Sequence, residues 1–416
     1  MPEAGLDIHV TRAEDGAVRL GGEPAGPAFT RAVLDVAGAV LTWPVLGAPG
    51  LPAAQVHDAG RAQQWLWALY GERVAAAVHG CAAREPTDVT VAAEVTTLAG
   101  GAARLAFGHW AARWWPASYV EGIPGLEPDV LGLELAALTH QCQQLFDTAF
   151  GDQPDDCAAE LIEEHQAALD PLVRWRLAPS QSDDTARHLD SVLRLVDDAG
   201  DSAGLDGPSL RHLRASLDQR RPVGTPVDLG TLFARHTGYA LAAGVPLVAG
   251  GRVITRGSGS NDWRRYPPGF VDAAEEAVSW TARAVGARRR IEVEVVADVA
   301  APAAGAHLVA EVRVDGGRAA RVPLARRDDL WTGRADLDVD LGLPSAAMPP
   351  RIEVGVLLPG FDPGPGAPGD AAHRDAVRAL ARQRLAAAAR PSPYDDTPLG
   401  PFLAEIAAAA AVEEDF

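Results

Sequence analysis

The sequence predicts an α+β protein: a mainly helical N-terminal domain, an antiparallel β-meander domain, and C-terminal helices. Three observations carry this expectation. Apolar residues recur at helical spacing in most segments up to Leu217. From about Val245 the chain turns β-branched and glycine-punctuated, with repeated period-two alternation. Past Pro359, two Pro/Gly-rich linkers, FDPGPGAPG and RPSPYDDTP, set off the last helices. The expected boundaries are 1–24 for an N-terminal hairpin, 25–242 for the helical domain, 243–360 for the antiparallel β domain with one helix, and 361–416 for the linker-tethered helices.

In chain order, IHVTRAEDGAVRL pairs two alternating runs across Glu14, Asp15 and Gly16 and reads as a hairpin. Phe29, Val33, Val36 and Val40 fall at helical spacing, as do Trp65, Leu69 and Val74, which predicts helices over Phe29–Leu41 and Arg61–Val78. Asp88–Val95 alternates as a strand. The stretch from Arg104 to Ser118 then gathers Trp110, Trp114 and Trp115. Phe107, Trp110 and Trp114 share one helical face, rings that are costly to leave in water, and Pro116 stops the helix. This predicts a central strut of the core, with Trp114 packed and His109 at its rim.

Val130–Phe150 reads as a long helix starting near Asp129, and Asp152–Asp170 is the most acidic window. That window lacks the ligand order and turn glycine of a calcium loop, and His165 has no ligand partner at helical spacing, so it reads as a solvated acidic face. Ser182 caps a helix carrying Leu189, Val192, Leu193 and Val196, and Pro208 opens another. In the second half, Phe270–Val285 reads as a helix with Glu275 and Glu276 on its wet face. IEVEVVAD, HLVAEVRVD, ARVPLA, LWTGRADLDV and RIEVGVLL alternate as strands of an antiparallel meander with helices on one face.

The 416 residues contain 37 basic against 56 acidic side chains, a net charge of −19, which argues against nucleic acid or an anionic membrane as partner. No position is lysine. That absence excludes Schiff-base and pyridoxal chemistry, the Walker-type phosphate-loop lysine and the kinase strand lysine. The Ala, Gly, Arg, Pro and Val bias fits a high-GC bacterial genome. Cys81, Cys142 and Cys157 lie apart without CxxC spacing, and the N-terminus has Glu3 and Asp7 where a signal peptide needs basic residues, so a reducing cytoplasm is expected. Val36–Val56 is uncharged but broken by Pro44, Pro49 and Pro52, which rules out a membrane helix.

The most chemical-looking stretch is GGRVITRGSGSNDWRRYPPG. Arg252, Arg256, Arg264 and Arg265 flank a loop containing Ser258 and Ser260, a combination suited to a phosphate or carboxylate. It matches no GxGxxG, phosphate-loop or GxSxG motif. His236, Asp262 and Ser258 form a Ser-His-Asp set in composition only. His140 and Cys142 stand two apart on a helix and do not face each other, so no metal site is expected there. Arg374, Arg378 and Arg382 recur every fourth residue, opposite Val377, Leu380 and Ala381, and Phe402, Leu403 and Ile406 follow Pro401. These two helices are the candidate partner contacts, an outward basic strip and an apolar docking face, the alternative being that both fold back and cover the β domain of their own chain. The sequence thus implies a non-catalytic interaction or scaffold subunit with a protein partner and without metal or cofactor. The alternative it leaves open is an enzyme or sensor holding a small anion at residues 250–269.

Overall fold

The computed structural model describes residues 6–48, 50–83, 88–94, 96–146, 155–178, 182–219, 232–233, 252–302, 307–337, 351–361, 363–364, 366–367, 369–390 and 399–414. The chain forms two units, one of Met1–Ala112, Leu126–Ala234 and Arg382–Phe416, the other of Arg113–Gly125 and Arg235–Ala381. Helices and antiparallel sheets together make an α+β protein.

The first unit begins with strands β1 (Leu6–Arg12), β2 (Val18–Leu20), β3 (Arg31–Val36), β4 (Ala39–Pro44), β5 (Ala53–Val56) and β6 (Val89–Ala93). They form one antiparallel sheet in the order β3-β4-β5-β2-β1-β6. The first hairpin and β6 fall where the alternation places them. The helix expected over Phe29–Leu41 is instead the β3–β4 hairpin. The segment that carries three valines and a phenylalanine at helical spacing also fits period two, since Ala32, Leu34 and Val36 are buried while Val33 and Asp35 are exposed. The turn decides it. Gly38 sits at φ +75°, and a Cβ there would lie 2.3 Å from the Asp58 carbonyl oxygen, so the chain can reverse there only with glycine.

Helices α1 (Ala59–Tyr70) and α2 (Glu72–Ala83) replace the single expected helix over Arg61–Val78, with Gly71 between them. The tryptophan helix α3 (Thr97–Trp114) forms as expected, and Trp110, 3% exposed, donates its indole N–H to the Phe29 carbonyl at 2.8 Å. Trp114, expected in the core, is only half-buried, with the Arg113 guanidinium 3.9 Å above its ring. Helix α4 (Pro128–Gln141) ends earlier than its apolar run suggests and opens with Pro128 in the first turn. Every residue from Val130 to Thr139 is buried, so α4 is enclosed on all sides. Against it pack α5 (Asp155–His165) and α7 (Asp183–Ser202); α6 (Leu169–Leu177) and α8 (Pro208–Leu217) extend the bundle. Ser182 accepts the Thr185 N–H and caps α7 as predicted.

In the second unit, β7 (Arg252–Ser258), β8 (Val278–Val285), β9 (Arg288–Val296), β12 (Ala325–Arg327) and β13 (Leu330–Leu337) form one antiparallel sheet, ordered β12-β13-β9-β8-β7. A second sheet contains β10 (Val309–Val314), β11 (Ala320–Pro323) and β14 (Ile352–Leu357), ordered β11-β10-β14. The strands are those the alternation marks, but they build two sheets rather than one meander. The sheets pack on each other, β11 against β13 and β14 against β8, where helices had been expected to cover one face. At the closest approach a Cβ on Gly333 would lie 2.5 Å from the Pro323 carbonyl oxygen. The helix expected over Phe270–Val285 is also corrected. Val278, Trp280 and Ala282 are buried in register with Val295, Val293 and Ile291, alternating with Ser279, Thr281 and Arg283. Two more helices complete the described chain, α9 (Asp370–Ala389) and α10 (Leu403–Glu414), and none of the described helices is long and apolar enough to cross a membrane.

Trp110→Ala removes a buried ring and its hydrogen bond to the Phe29 carbonyl, and is expected to cost about 3–5 kcal/mol, against about 1 kcal/mol for Trp114→Ala. Equilibrium denaturation of both variants checks the ranking, and equal losses would show that Trp114 packs as deeply as Trp110.

Candidate functional site

Within the apolar run VLGLELAAL of α4, one residue is charged. Glu134 is 1% exposed, and an ionised carboxylate in such a place must be matched by donors. Arg104 of α3 donates to its Oε1 at 2.7 Å, and His188 Nε2 of α7 lies 2.8 Å from the same oxygen. The other oxygen, Oε2, accepts the backbone N–H of Leu403, the first residue of α10, at 2.7 Å. Burial alone would raise the Glu134 pKa, but the charges and hydrogen bonds of His188 and Arg104 outweigh it and hold the group at about 2.

The same groups fasten the C-terminal segment. Arg104 also donates to the Gly400 and Pro401 carbonyls at 2.7 and 3.0 Å and lies 4.7 Å over the Phe402 ring. Arg384 of α9 makes a two-pronged contact to the fully buried Glu405, at 2.6 and 2.7 Å, and reaches the Leu399 carbonyl. Glu405 in turn accepts the Phe402 N–H, closing one half of a capping box at the start of α10. Beside Glu134 and His188 opens a cleft of about 400 Å³, walled by Leu138, Val192, Leu195, Pro401 and Ile406.

In the second unit the organising acid is Asp272, 1% exposed. It accepts hydrogen bonds from Ser118 Oγ, the Tyr119 and Val120 amides and the Ala274 amide at 2.7, 2.7, 3.3 and 2.8 Å. Those bonds fix the turn between Ser118 and Ile123, whose backbones pair with each other. Tyr119 and Val120 stand on it at 55% and 53% exposure.

The residues singled out for anion binding do not converge. The glycine-serine stretch begins as the end of strand β7, which takes in Gly257 and Ser258, with Arg252, Arg256 and Ser258 exposed. Ser260 pairs by its backbone with Val354. Arg264 is held by Asp262 at 2.8 and 2.9 Å, and Arg265 by Glu311 at 2.7 Å, so both cations are already neutralised. His236, the third member of the Ser-His-Asp set, lies outside the described residues. The outward basic strip on α9 is corrected as well. Arg374 and Arg378 are buried, on Glu275 and on Glu121, Asp375 and the Ala273 carbonyl, and of that strip Arg382 is exposed. Glu275 is therefore an ion-pair partner, not the wet face of a helix. Phe402 and Leu403 are buried within the first unit and Ile406 is half-buried, because α10 docks on α4 and α7 of its own chain. No group of three His, Cys, Asp or Glu side chains suited to a metal occurs among the described residues.

No family model, curated protein or solved structure matches the chain. The chemistry of the site therefore rests on its own residues. Sequence reading missed Glu134, His188, Arg384 and Glu405. The signal for Glu134 was present: a single carboxylate in an otherwise apolar helix has to find buried cations. His188 and Arg384 sit in polar helices that offer many equivalent candidates, and only the fold selects them.

Glu134→Gln leaves Arg104 without its counter-charge and is expected to cost about 3–5 kcal/mol near neutral pH. Because the folded pKa lies below the ordinary 4.5, the carboxylate stabilises fully above pH 4.5 and loses that contribution as pH falls toward about 2. Urea unfolding across pH 2 to 7 should show the variant without that acid-sensitive component. An unchanged midpoint with an unchanged acid limb would remove Glu134 from its anchoring role.

Proposed function

We propose that the chain is a non-catalytic interaction subunit of a larger, cytoplasmic protein assembly, and that it meets its protein partner through the Ser118–Ile123 turn. The observation that carries this reading is the display of Tyr119 and Val120. Both are more than half exposed, on a turn that a buried carboxylate holds with three hydrogen bonds, from the Ser118 hydroxyl and the Tyr119 and Val120 amides. Adjacent exposed apolar side chains are what a partner's pocket takes up, and aromatic residues dominate such contacts. A turn already rigid loses little conformational freedom on docking. The acidic composition weighs against nucleic acid, and Cys81, Cys142 and Cys157, none of them in a disulfide, are in keeping with a reducing compartment.

The test is the double variant Tyr119→Ser, Val120→Ser, tagged and recovered from the native host beside the wild type. Surface substitutions of this kind change stability by about 0.5 kcal/mol or less, so the melting temperature should hold while a protein that co-purifies with wild type is lost. Identical co-purifying sets for the two proteins would sink the reading.

A further inference from the structure

We infer that the outer face of the five-stranded sheet in the second unit docks a second copy of this chain, which it takes by the acidic helix α5. The contact is separate from the Tyr119 turn and does not depend on it. In a chain with a net charge of −19, this face is locally basic. Strands β8 and β9 turn Val278, Trp280, Ala282, Ile291, Val293 and Val295 inward, so the alternate residues stand outside. The register sets those outer residues in rows. Arg256 of β7, Thr281 of β8, Glu292 of β9 and Arg334 of β13 make one row, and Arg283, Arg290 and Asp336 the next, with Arg288 beyond them. Five arginines therefore meet two carboxylates on four adjacent strands spaced about 4.8 Å apart. The rows toward the other end of the face add one charge of each sign, Glu294 and Arg327.

Both carboxylates in the basic rows are spent within the face. Glu292 takes Arg283 at 3.0 Å, and Asp336 takes Arg290 at 2.9 Å and Arg288 at 3.1 Å. Arg256 and Arg334 are exposed and have no acidic partner among the described residues, and Arg288, exposed as well, shares its acid. Arg283 also stands directly across from Arg290, a like-charge pairing that costs stability in a sheet and that a docked anionic surface relieves.

Charge complementarity names the occupant. Residues 152–170 contain no arginine or lysine, and α5 runs through them. Most acids of the neighbouring helix α7 are already engaged, Asp184 by Arg187, Asp190 by Arg176, and Asp197 and Asp201 by Arg214. On α5, Glu160 and Glu163 are exposed without a cationic partner among the described residues, and Glu164 comes only within 4.0 Å of His165 Nε2. Spaced three and four residues apart, these carboxylates share one helical face, and their three charges equal the surplus on the sheet. A helix brings its carboxylates at separate points, between which Asp336 and Glu294 fit. A continuous phosphate backbone would be repelled by both. Two copies of a −19 chain repel at long range, but at 0.1 M salt that repulsion fades over about 10 Å, while charges in contact keep most of their attraction.

The experiment is sedimentation velocity of the full chain over a range of micromolar concentrations, at about 0.1 M and about 1 M salt. Wild type should self-associate reversibly at the lower salt and at least about tenfold more weakly at the higher. Arg256→Glu with Arg334→Glu should leave monomers, and so should Glu160→Arg with Glu163→Arg. All four positions are exposed, where substitutions disturb the fold little. An equimolar mixture of the two double variants should associate again, because each supplies the charge that the other has reversed, which two misfolded proteins could not do. Wild type that stays monomeric at 0.1 M salt overturns the proposal. So does association that salt or either double variant leaves unchanged, or a mixture that stays monomeric. A monomeric wild type that binds a glutamate octapeptide or a DNA duplex through Arg256 and Arg334 would overturn it too, and would give the face to a foreign acidic protein or to nucleic acid.

Discussion

Placing one carboxylate inside a fully enclosed helix constrains the whole first unit. Helix α4 supplies its centre, and Glu134 is the charged residue in its buried run. A buried charge left alone would cost several kcal/mol, so α3 must deliver Arg104, α7 must deliver His188, and the C-terminal segment must deliver the Leu403 amide. Each of these comes from a different stretch of sequence, and each can arrive only if its helix is correctly packed. The hydrogen bonds to Glu134 therefore do what apolar packing cannot, because they tell one register of α10 from its neighbours. A one-turn slip of α10 would keep alanines against α4 but would leave Oε2 without its donor. The alanine-rich AEIAAAAAV has little shape of its own, which is where a polar contact adds most to specificity.

The second unit repeats the device with a different purpose. Asp272 also spends its oxygens on backbone amides, but those amides belong to a turn, and the order it imposes appears at the surface as Tyr119 and Val120. Asn261, fully buried, ties the same region by donating to the Asp272 and Ala274 carbonyls. One buried acid thus fixes a chain terminus and the other fixes an exposed tip. The difference lies only in whether the anchored segment carries residues that the fold can hide.

How much of this was legible depends on length and on pairing. The strands around Ile291, Val312, Trp331 and Val354 announce themselves because alternation persists and turn residues separate them. Phe29–Leu41 and Phe270–Val285 mislead because their apolar residues fit a helical period and a strand period at once, and only the Gly38 turn and the register with β9 decide. The α9 arginines mislead for a different reason. A repeat at every fourth position ordinarily marks a wet face, yet Arg374 and Arg378 point at acids that lie about a hundred or more residues away in sequence, such as Glu275 and Glu121. A long-range acid–base match of that kind has no local signature.

The missing lysine takes on a structural meaning in this light. Arg104 reaches two carbonyls and a carboxylate, Arg384 two carbonyls and a carboxylate, and Arg176 joins Asp190 to the Ser216 and Leu217 carbonyls at the end of α8. In each case a planar fork neutralises an acid and at the same time satisfies carbonyls that a helix or loop leaves over. An ammonium group is a point charge and cannot serve such spread acceptors in one plane. Whatever genomic bias removed lysine, the fold now uses the guanidinium's geometry at its most buried joints, and an Arg→Lys exchange at any of them would keep the charge while abandoning the carbonyls. The same geometry explains how a chain so rich in acid can bury carboxylates at all. Its cations are forks that bind one carboxylate and still close the ends of neighbouring segments.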